Sequence, residues 1–328
     1  MFRRDVLRGA VMVAGAMCLR PRQAFAGSTI RIGVLQFGTV SWELDTIRAH
    51  GLDVAHHFRI EETPLANGEA AKIALISGAV DIIVTDWLWA ARERAEGEAL
   101  SFIPYSTLVG AVMVPKDSPI HTLADLKDRR IGIVGGPLDK SWIFMRAMGL
   151  KVLHADLDRI VDKVFGAPPV LNEQLKSGRL DAVLTNWNFA ERLEANGYRR
   201  VISVNDALKE LGVGEQIPLI GYIFHEQWGK DHAEVLDGFV QASLAAKHLL
   251  ADSDAEWERL VPKTWAETPA ILASLRDGYR ASIPKSWGPA ERDAAIKAYK
   301  VIAQLGGSTL VGSAAEMDPK TFWDGVNF

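Results

Sequence analysis

The sequence predicts an α/β protein of two similar lobes. Each lobe is a mainly parallel sheet flanked by helices, and a two-strand hinge joins them. Three observations carry this. One strand-and-helix stretch occurs twice, one hundred residues apart. Strands alternate with helices along most of the chain, as they do in βαβ units. And 328 residues exceed what a single hydrophobic core usually organises.

The duplicated stretch reads LISGAVDIIVTDW at 75–87 and LKSGRLDAVLTNW at 175–187. The likeness runs on through Ala90/Ala190 and Arg92/Arg192. Over 75–94 against 175–194, eight of twenty positions are identical, which marks a repeat rather than shared composition. In each copy a helix ends at a glycine, which takes φ > 0 freely. A short apolar run follows, long enough for one buried strand. A polar turn with Trp comes next, and then another helix. That turn lies at the carboxyl end of a strand, where open α/β sheets bind ligands. Two copies therefore predict two Trp-bearing strand ends facing each other across a cleft.

Residues 1–26 read as a processing segment. Arg3, Arg4 and Arg8 give a basic start, 10–19 a short apolar core, and Ala24-Phe25-Ala26 a small-x-small cleavage site. The apolar core is far shorter than the about 20 residues a bilayer span needs. FRRDVLR at 2–8 has the look of a twin-arginine export signal, against an ordinary secretory signal that happens to pair two arginines. Cys18 follows Met17, where lipid attachment wants a small residue, so a lipoprotein is rejected. The expected mature chain, 27–328, is periplasmic and lacks cysteine, so it depends on its core rather than on disulfides. The leader takes five of the 37 basic and one of the 41 acidic residues, so the rest carries a net charge of −8. That balance argues against nucleic acid or an anionic membrane surface as partner.

In order, 29–35 alternates and then turns apolar, an opening strand. Residues 37–42 are its turn and 42–49 a helix capped by Ser41 or Thr39. A strand at 58–62 and a helix at 67–77 lead into the first repeat copy, with its strand at 80–84 and helix at 88–96. Strands follow at 101–105 and 108–115. Thr122 and Asp125 resemble a capping box. A strand at 130–134, a Gly-rich turn at 135–140 and a helix at 141–148 come next. Residues 161–165 and 170–177 lead into the second copy, and 200–204 closes the lobe. After a turn-rich connection at 213–218 and a strand at 219–224, helices dominate: 234–251, 256–261, 269–281 and 289–305. The first lobe is thus expected to hold 27–108 and 220–328, with the second, 109–219, inserted. The hinge crossings fall near 106–112 and 204–222.

At this point a family likeness emerges. GAVMVPKDSPIHTLADLKDRRIGIVGG at 110–136 resembles the lobe crossover of type II periplasmic solute-binding proteins, in the branch linked to nitrate, sulfonate, taurine and thiamine-precursor uptake (NMT1/THI5-like). The SG-x-x-D of both repeats and the late helices fit the same branch. The likeness covers essentially all of 27–328. It implies a monomeric receptor of an ABC importer. Its partners would be a permease and an ATPase in the inner membrane. The resemblance does not fix the ligand; the Trp-rich strand ends with Asp86 suggest a small amine or heteroaromatic solute, and the helix N-termini at Thr39 and Ser141 a carboxylate or sulfonate. The alternatives are an exported sensor for a membrane signalling partner, or an enzyme on the same fold. The related pyrimidine-forming enzymes carry a Cys-rich motif, absent from 27–328.

Candidate ligand-binding residues cluster at predicted strand ends. Phe37, Thr39, Ser41 and Trp42 form the first turn, which opens a helix whose N–H groups suit an anion; capping alone explains the hydroxyls too. Asp86 with Trp87 and Asn186 with Trp187 form the repeated turns. Five of ten tryptophans (Trp42, Trp87, Trp89, Trp142, Trp187) fall at or just after strand ends. Packing explains most tryptophans, but facing rings would also clamp a planar or cationic ligand, worth up to about 2 kcal/mol when desolvated. Asp86 suits an amine or a helix N-cap equally. Gly136, Asp139, Ser141 and Trp142 form the turn after the 130–134 strand. It lacks the glycines of a phosphate loop, and Asp139 and Lys140 readily pair with each other. No cofactor and no metal are expected: His56 and His57 point to opposite faces of a strand, and 252–254 lacks the Gly and distal Glu of a calcium loop. Nucleophile motifs such as G-x-S-x-G are absent.

Overall fold

The computed structural model describes residues 28–213 and 217–328. The expected leader with Cys18, and the middle of the 213–218 connection, lie outside the described residues. The strands are β1 (Ser28–Leu35), β2 (Phe58–Leu65), β3 (Ile82–Asp86), β4 (Leu100–Ser106), β5 (Gly110–Val114), β6 (Arg130–Val134), β7 (Asp162–Gly166), β8 (Ala182–Asn186), β9 (Arg199–Ser203) and β10 (Ile220–His225).

They form two five-stranded sheets, ordered β2-β1-β3-β10-β4 and β7-β6-β8-β5-β9. The two orders are the same when β6 stands for β1 and β5 for β10. In the first sheet β10 runs against its neighbours β3 and β4. In the second, β5 runs against β8 and β9. The pairings β1–β2, β1–β3, β6–β7 and β6–β8 are parallel. This is the type II periplasmic-binding-protein architecture. The chain leaves the first sheet after Ser106 and re-enters it at Ile220, so each reversed strand follows a crossing. The crossings are tied to each other, because Asn205 Nδ2 donates to the Thr107 carbonyl at 3.0 Å.

The repeated SG-x-x-D is explained by strand registry. Gly78 and Gly178 both sit at φ 71° with open space where a Cβ would go. They reverse the chain so that the aspartate meets the neighbouring parallel strand, β1 in the first sheet and β6 in the second. Asp81 Oδ2 accepts the Arg31 N–H at 2.7 Å, and the Asp81 N–H donates back to the Arg31 carbonyl at 2.8 Å. Asp181 makes the same two bonds with Arg130, at 2.8 and 2.9 Å. These staples sit at the end of each sheet opposite the Trp turns. The turns are also matched: the Trp87 N–H donates to the Leu219 carbonyl and the Trp187 N–H to the Val109 carbonyl, so each repeat is bonded to one crossing.

Two local expectations change. Where the strand was expected to run through Val204, a helix Val204–Glu210 begins, because Ser203 and Asp206 form a reciprocal capping box. Thr122 and Asp125 do not form one. The Asp125 carboxylate instead gathers the His121 and Thr122 N–H groups and the Thr122 hydroxyl, and only a short 3-10 turn, Ala124–Leu126, follows. The late helices reach back over both lobes. Pro269–Ser282 lies against Trp187–Ala195, and Pro289–Gly306 against Lys140–Val152.

Candidate ligand-binding site

The turn after β1 is built by the Gly38 N–H donating to the Leu35 carbonyl at 2.9 Å. Helix Val40–Ala49 follows without a side-chain cap. The Thr39 hydroxyl lies 3.3 Å from the Tyr105 hydroxyl, and Ser41 Oγ donates to the Gly38 carbonyl. Both hydroxyls therefore serve the turn itself. Phe37 faces the second lobe. Its carbonyl accepts from Asn188 Nδ2 at 3.2 Å. Its ring stands edge-on to Phe189 at 6.3 Å and to Trp265 at 5.5 Å.

Trp42 is buried. Its indole N–H donates to the Lys263 carbonyl, and its ring meets Trp187 of the second lobe edge-on at 6.0 Å. Trp87 is fully buried, donates to the Pro218 carbonyl and meets Phe144 of the second lobe at 6.3 Å. Among the described residues no ring contact joins Trp87 to Trp187. The expected face-to-face clamp is replaced by two separate aromatic contacts, each crossing between lobes. The tryptophans hold the lobes to each other.

Asp86 caps helix Trp87–Ala95: Oδ1 accepts the Trp89 N–H at 2.9 Å and Oδ2 accepts the Thr85 hydroxyl. Asn186, its counterpart, caps nothing with its side chain. In the third turn the Gly136 carbonyl accepts the Asp139 N–H. Asp139 Oδ1 then caps the Ser141 N–H at 2.8 Å. Trp142 points within its own lobe, donating to Asp158 Oδ1 at 3.3 Å. Lys140 Nζ lies 3.3 Å from Asp139 Oδ2. Burial pulls its pKa down, but the charges of Asp139 and of Asp86 across the lobes outweigh that and leave it raised. The ammonium of one lobe thus feels the charge of the capping carboxylate of the other.

A cavity of about 440 Å³ opens beside these turns, with walls from both lobes. Phe37, Trp42, Phe189 and Trp265 give it aromatic faces, and Leu193 and Ile271 extend them. Of the predicted residues, Phe37 and Trp42 line it; Trp187 rests on Trp42 behind it. Thr39, Ser41, Asp86, Trp87, Gly136, Asp139, Ser141, Trp142 and Asn186 lie outside its wall. Sequence reasoning missed Asn172, Asn188, Arg192 and Trp265. Asn172 sits in a helix, Pro168–Lys176, not at a strand end, so the strand-end rule could not reach it. Arg192 was visible as part of the repeat. Its guanidinium donates to the carbonyls of Thr264 and Trp265, the latter at 2.9 Å, and burial lowers its pKa against the raising charge of Glu267. Trp265 itself holds φ 50°, rare for a large side chain.

Beneath the first turn lies a buried polar cluster. Glu43 is fully buried and accepts from Ser243 Oγ, the Tyr279 hydroxyl, the Tyr222 hydroxyl and Lys247 Nζ. Lys247 also stands 4.6 Å over the Tyr105 ring. Burial pushes the Lys247 pKa down, and Glu43 only partly restores it. Burial, then the Glu43 charge, pushes Tyr105, Tyr222 and Tyr279 up. The cluster fixes the helix that follows the first turn.

Residues 48–256 match the family described as NMT1/THI5 like. The chain belongs to the NMT1/THI5-like family. Solved structures share its fold across nearly its whole length. The alkanesulfonate-binding protein SsuA from Xanthomonas axonopodis pv. citri, bound to MOPS, is 17% identical with TM-score 0.70, covering 90% of this chain and 98% of that one. The periplasmic aliphatic sulphonate-binding protein SsuA from Escherichia coli is 18% identical with TM-score 0.70, covering 90% and 92%. A point mutant of DSZB, in complex with biphenyl-2-sulfinic acid, is 13% identical with TM-score 0.57, covering 86% and 93%. No curated protein matches by sequence. At these identities the NMT1/THI5-like fold is shared with these structures, while the ligand is a separate question.

Proposed function

We propose that this chain is the substrate-binding component of an ABC importer. It takes one small organic solute between its lobes in the periplasm and presents it to a permease and ATPase pair. The observation that carries this is the cavity walled by both lobes, beside a fold that returns twice through its crossings. A solute touching both walls favours the closed arrangement by its differential affinity for it, which is all that closure requires. The likeness to the SsuA binding proteins supports the reading, as does the family match.

The test is a thermal-shift screen of the purified protein against sulfonates, amines and heteroaromatics. A ligand bound only by the native state raises stability by RT ln(1 + [L]/Kd). Any hit is then followed by small-angle scattering. A more compact profile with ligand supports closure; identical profiles with a proven ligand bound would remove it.

A further inference from the structure

The geometry points to an uncharged ligand with an amide-like edge, read by the carboxamide of Asn172. This rests on the importer reading and narrows it to a substrate class. Asn172 is 6% exposed and lines the cavity, and its Oδ1 is buried without any hydrogen-bond partner. A buried acceptor left unpaired costs about 1–3 kcal/mol, and a ligand N–H removes that cost. The same carboxamide presents N–H donors beside the oxygen. It therefore suits a group that sets a donor and an acceptor side by side, as amides and many nitrogen heterocycles do.

The charges of the wall argue for neutrality. Three cations line it, and each is already matched. Lys176 pairs with Glu173 at 2.8 Å. Arg192 holds the Trp265 carbonyl at 2.9 Å and Glu267 at 3.4 Å. Lys263 meets Asp45 at 3.5 Å. A sulfonate entering here would compete with the carboxylate that each cation already holds. An ammonium would compete likewise with the cations that hold Glu173 and Glu267. Phe37, Trp42, Phe189 and Trp265 give the wall its aromatic faces, with Leu193 and Ile271 beside them, which favours a planar ring.

The experiment compares three probes that share one ring: benzamide, benzenesulfonate and benzylammonium. Binding to the purified protein is followed by calorimetry and tryptophan fluorescence. Benzamide is expected to bind about tenfold or more tighter than the other two, the factor that one unmade buried hydrogen bond supplies. Asn172→Leu, of similar volume, weakens benzamide by about the same factor and holds or raises the melting temperature. Asn172→Asp moves the preference to benzylammonium. Benzenesulfonate binding tightest, or benzamide binding Asn172→Leu undiminished, overturns the inference and leaves the importer reading standing. Binding of none of the three removes both the inference and this cavity as the solute site.

Discussion

Arg92 and Arg192 occupy matching positions of the repeat, and each donates to main-chain carbonyls of the opposite lobe. Arg192, on the second lobe, holds the Trp265 and Thr264 carbonyls of the segment covering the first. Arg92, on the first, reaches the Leu138 carbonyl at 3.4 Å. The duplicated helix thus supplies a latch in each direction. The two are unequal: Arg192 makes two such bonds and Arg92 one long one.

Arg192→Met is therefore expected to loosen closure more than Arg92→Met. Losing two charge-assisted bonds in a half-buried site shifts the closed-to-open balance by about 2–3 kcal/mol. Scattering should show a larger radius of gyration for ligand-free Arg192→Met than for the parent, with ligand affinity lowered about 10-fold or more. Equal radii for both variants and the parent would sink the latch.

Gly278→Ala tests the same closure from the other side. A Cβ there would stand 2.9 Å from the Trp187 ring, so it acts as a wedge between the lobes. Within the helix itself alanine is favoured over glycine by about 1 kcal/mol. The expected result is an unchanged or raised melting temperature with weaker ligand binding. A lower melting temperature with intact affinity would place the contact in folding instead.

The Glu43–Lys247 pair gives a third prediction. Removing one partner of a buried pair strands the other, at about 3–5 kcal/mol. Lys247→Met should lose that much in urea unfolding. Glu43→Gln combined with Lys247→Met should recover most of it, since Tyr222, Tyr279 and Ser243 still reach a neutral acceptor. A double variant no better than Lys247→Met contradicts this account.

Acid stability should report Glu256. Burial raises its pKa, but hydrogen bonds from Arg259, His50 and Thr46 overcome that and hold it at about 2. The folded pKa lies below the unfolded value of 4.5, so its contribution is complete above about pH 4.5 and lost as the pH falls toward 2. After solvent screening this is of order 1–2 kcal/mol. Glu256→Gln should flatten the stability profile across that window. A parent and variant with parallel profiles would show the carboxylate to be idle.

The sheets were legible because their strands are short apolar runs closed by Gly and Asp. Residues 130–134 matched the observed β6 end to end, and the helix beginning at Pro289 was marked by that proline. The repeat was legible as a repeat, but its meaning divided. The Gly and Asp of SG-x-x-D set registry, and the Trp of each turn closes the lobes. What sequence could not give was direction. Trp87 and Trp187 are equivalent by position, yet their neighbours Phe144 and Trp42 come from remote segments. Asn172 carried no signal, because an asparagine within a helix reads as surface until a second wall is placed over it. Lys247, a lone cation in an apolar helical stretch, was a sign that could have been followed to Glu43.

The placement of β10 has a consequence for the order of assembly. The second sheet is continuous in the chain, from β5 to β9. The first lacks the strand between β3 and β4 until residues 220–225 have been made. During synthesis the later sheet can close while the earlier one still shows two unpaired edges, the exposure that invites mispairing. The lobe that begins the chain is thus the last to be finished. A chain cut short before Ile220 would be expected to keep its inserted lobe and lose the lobe that surrounds it.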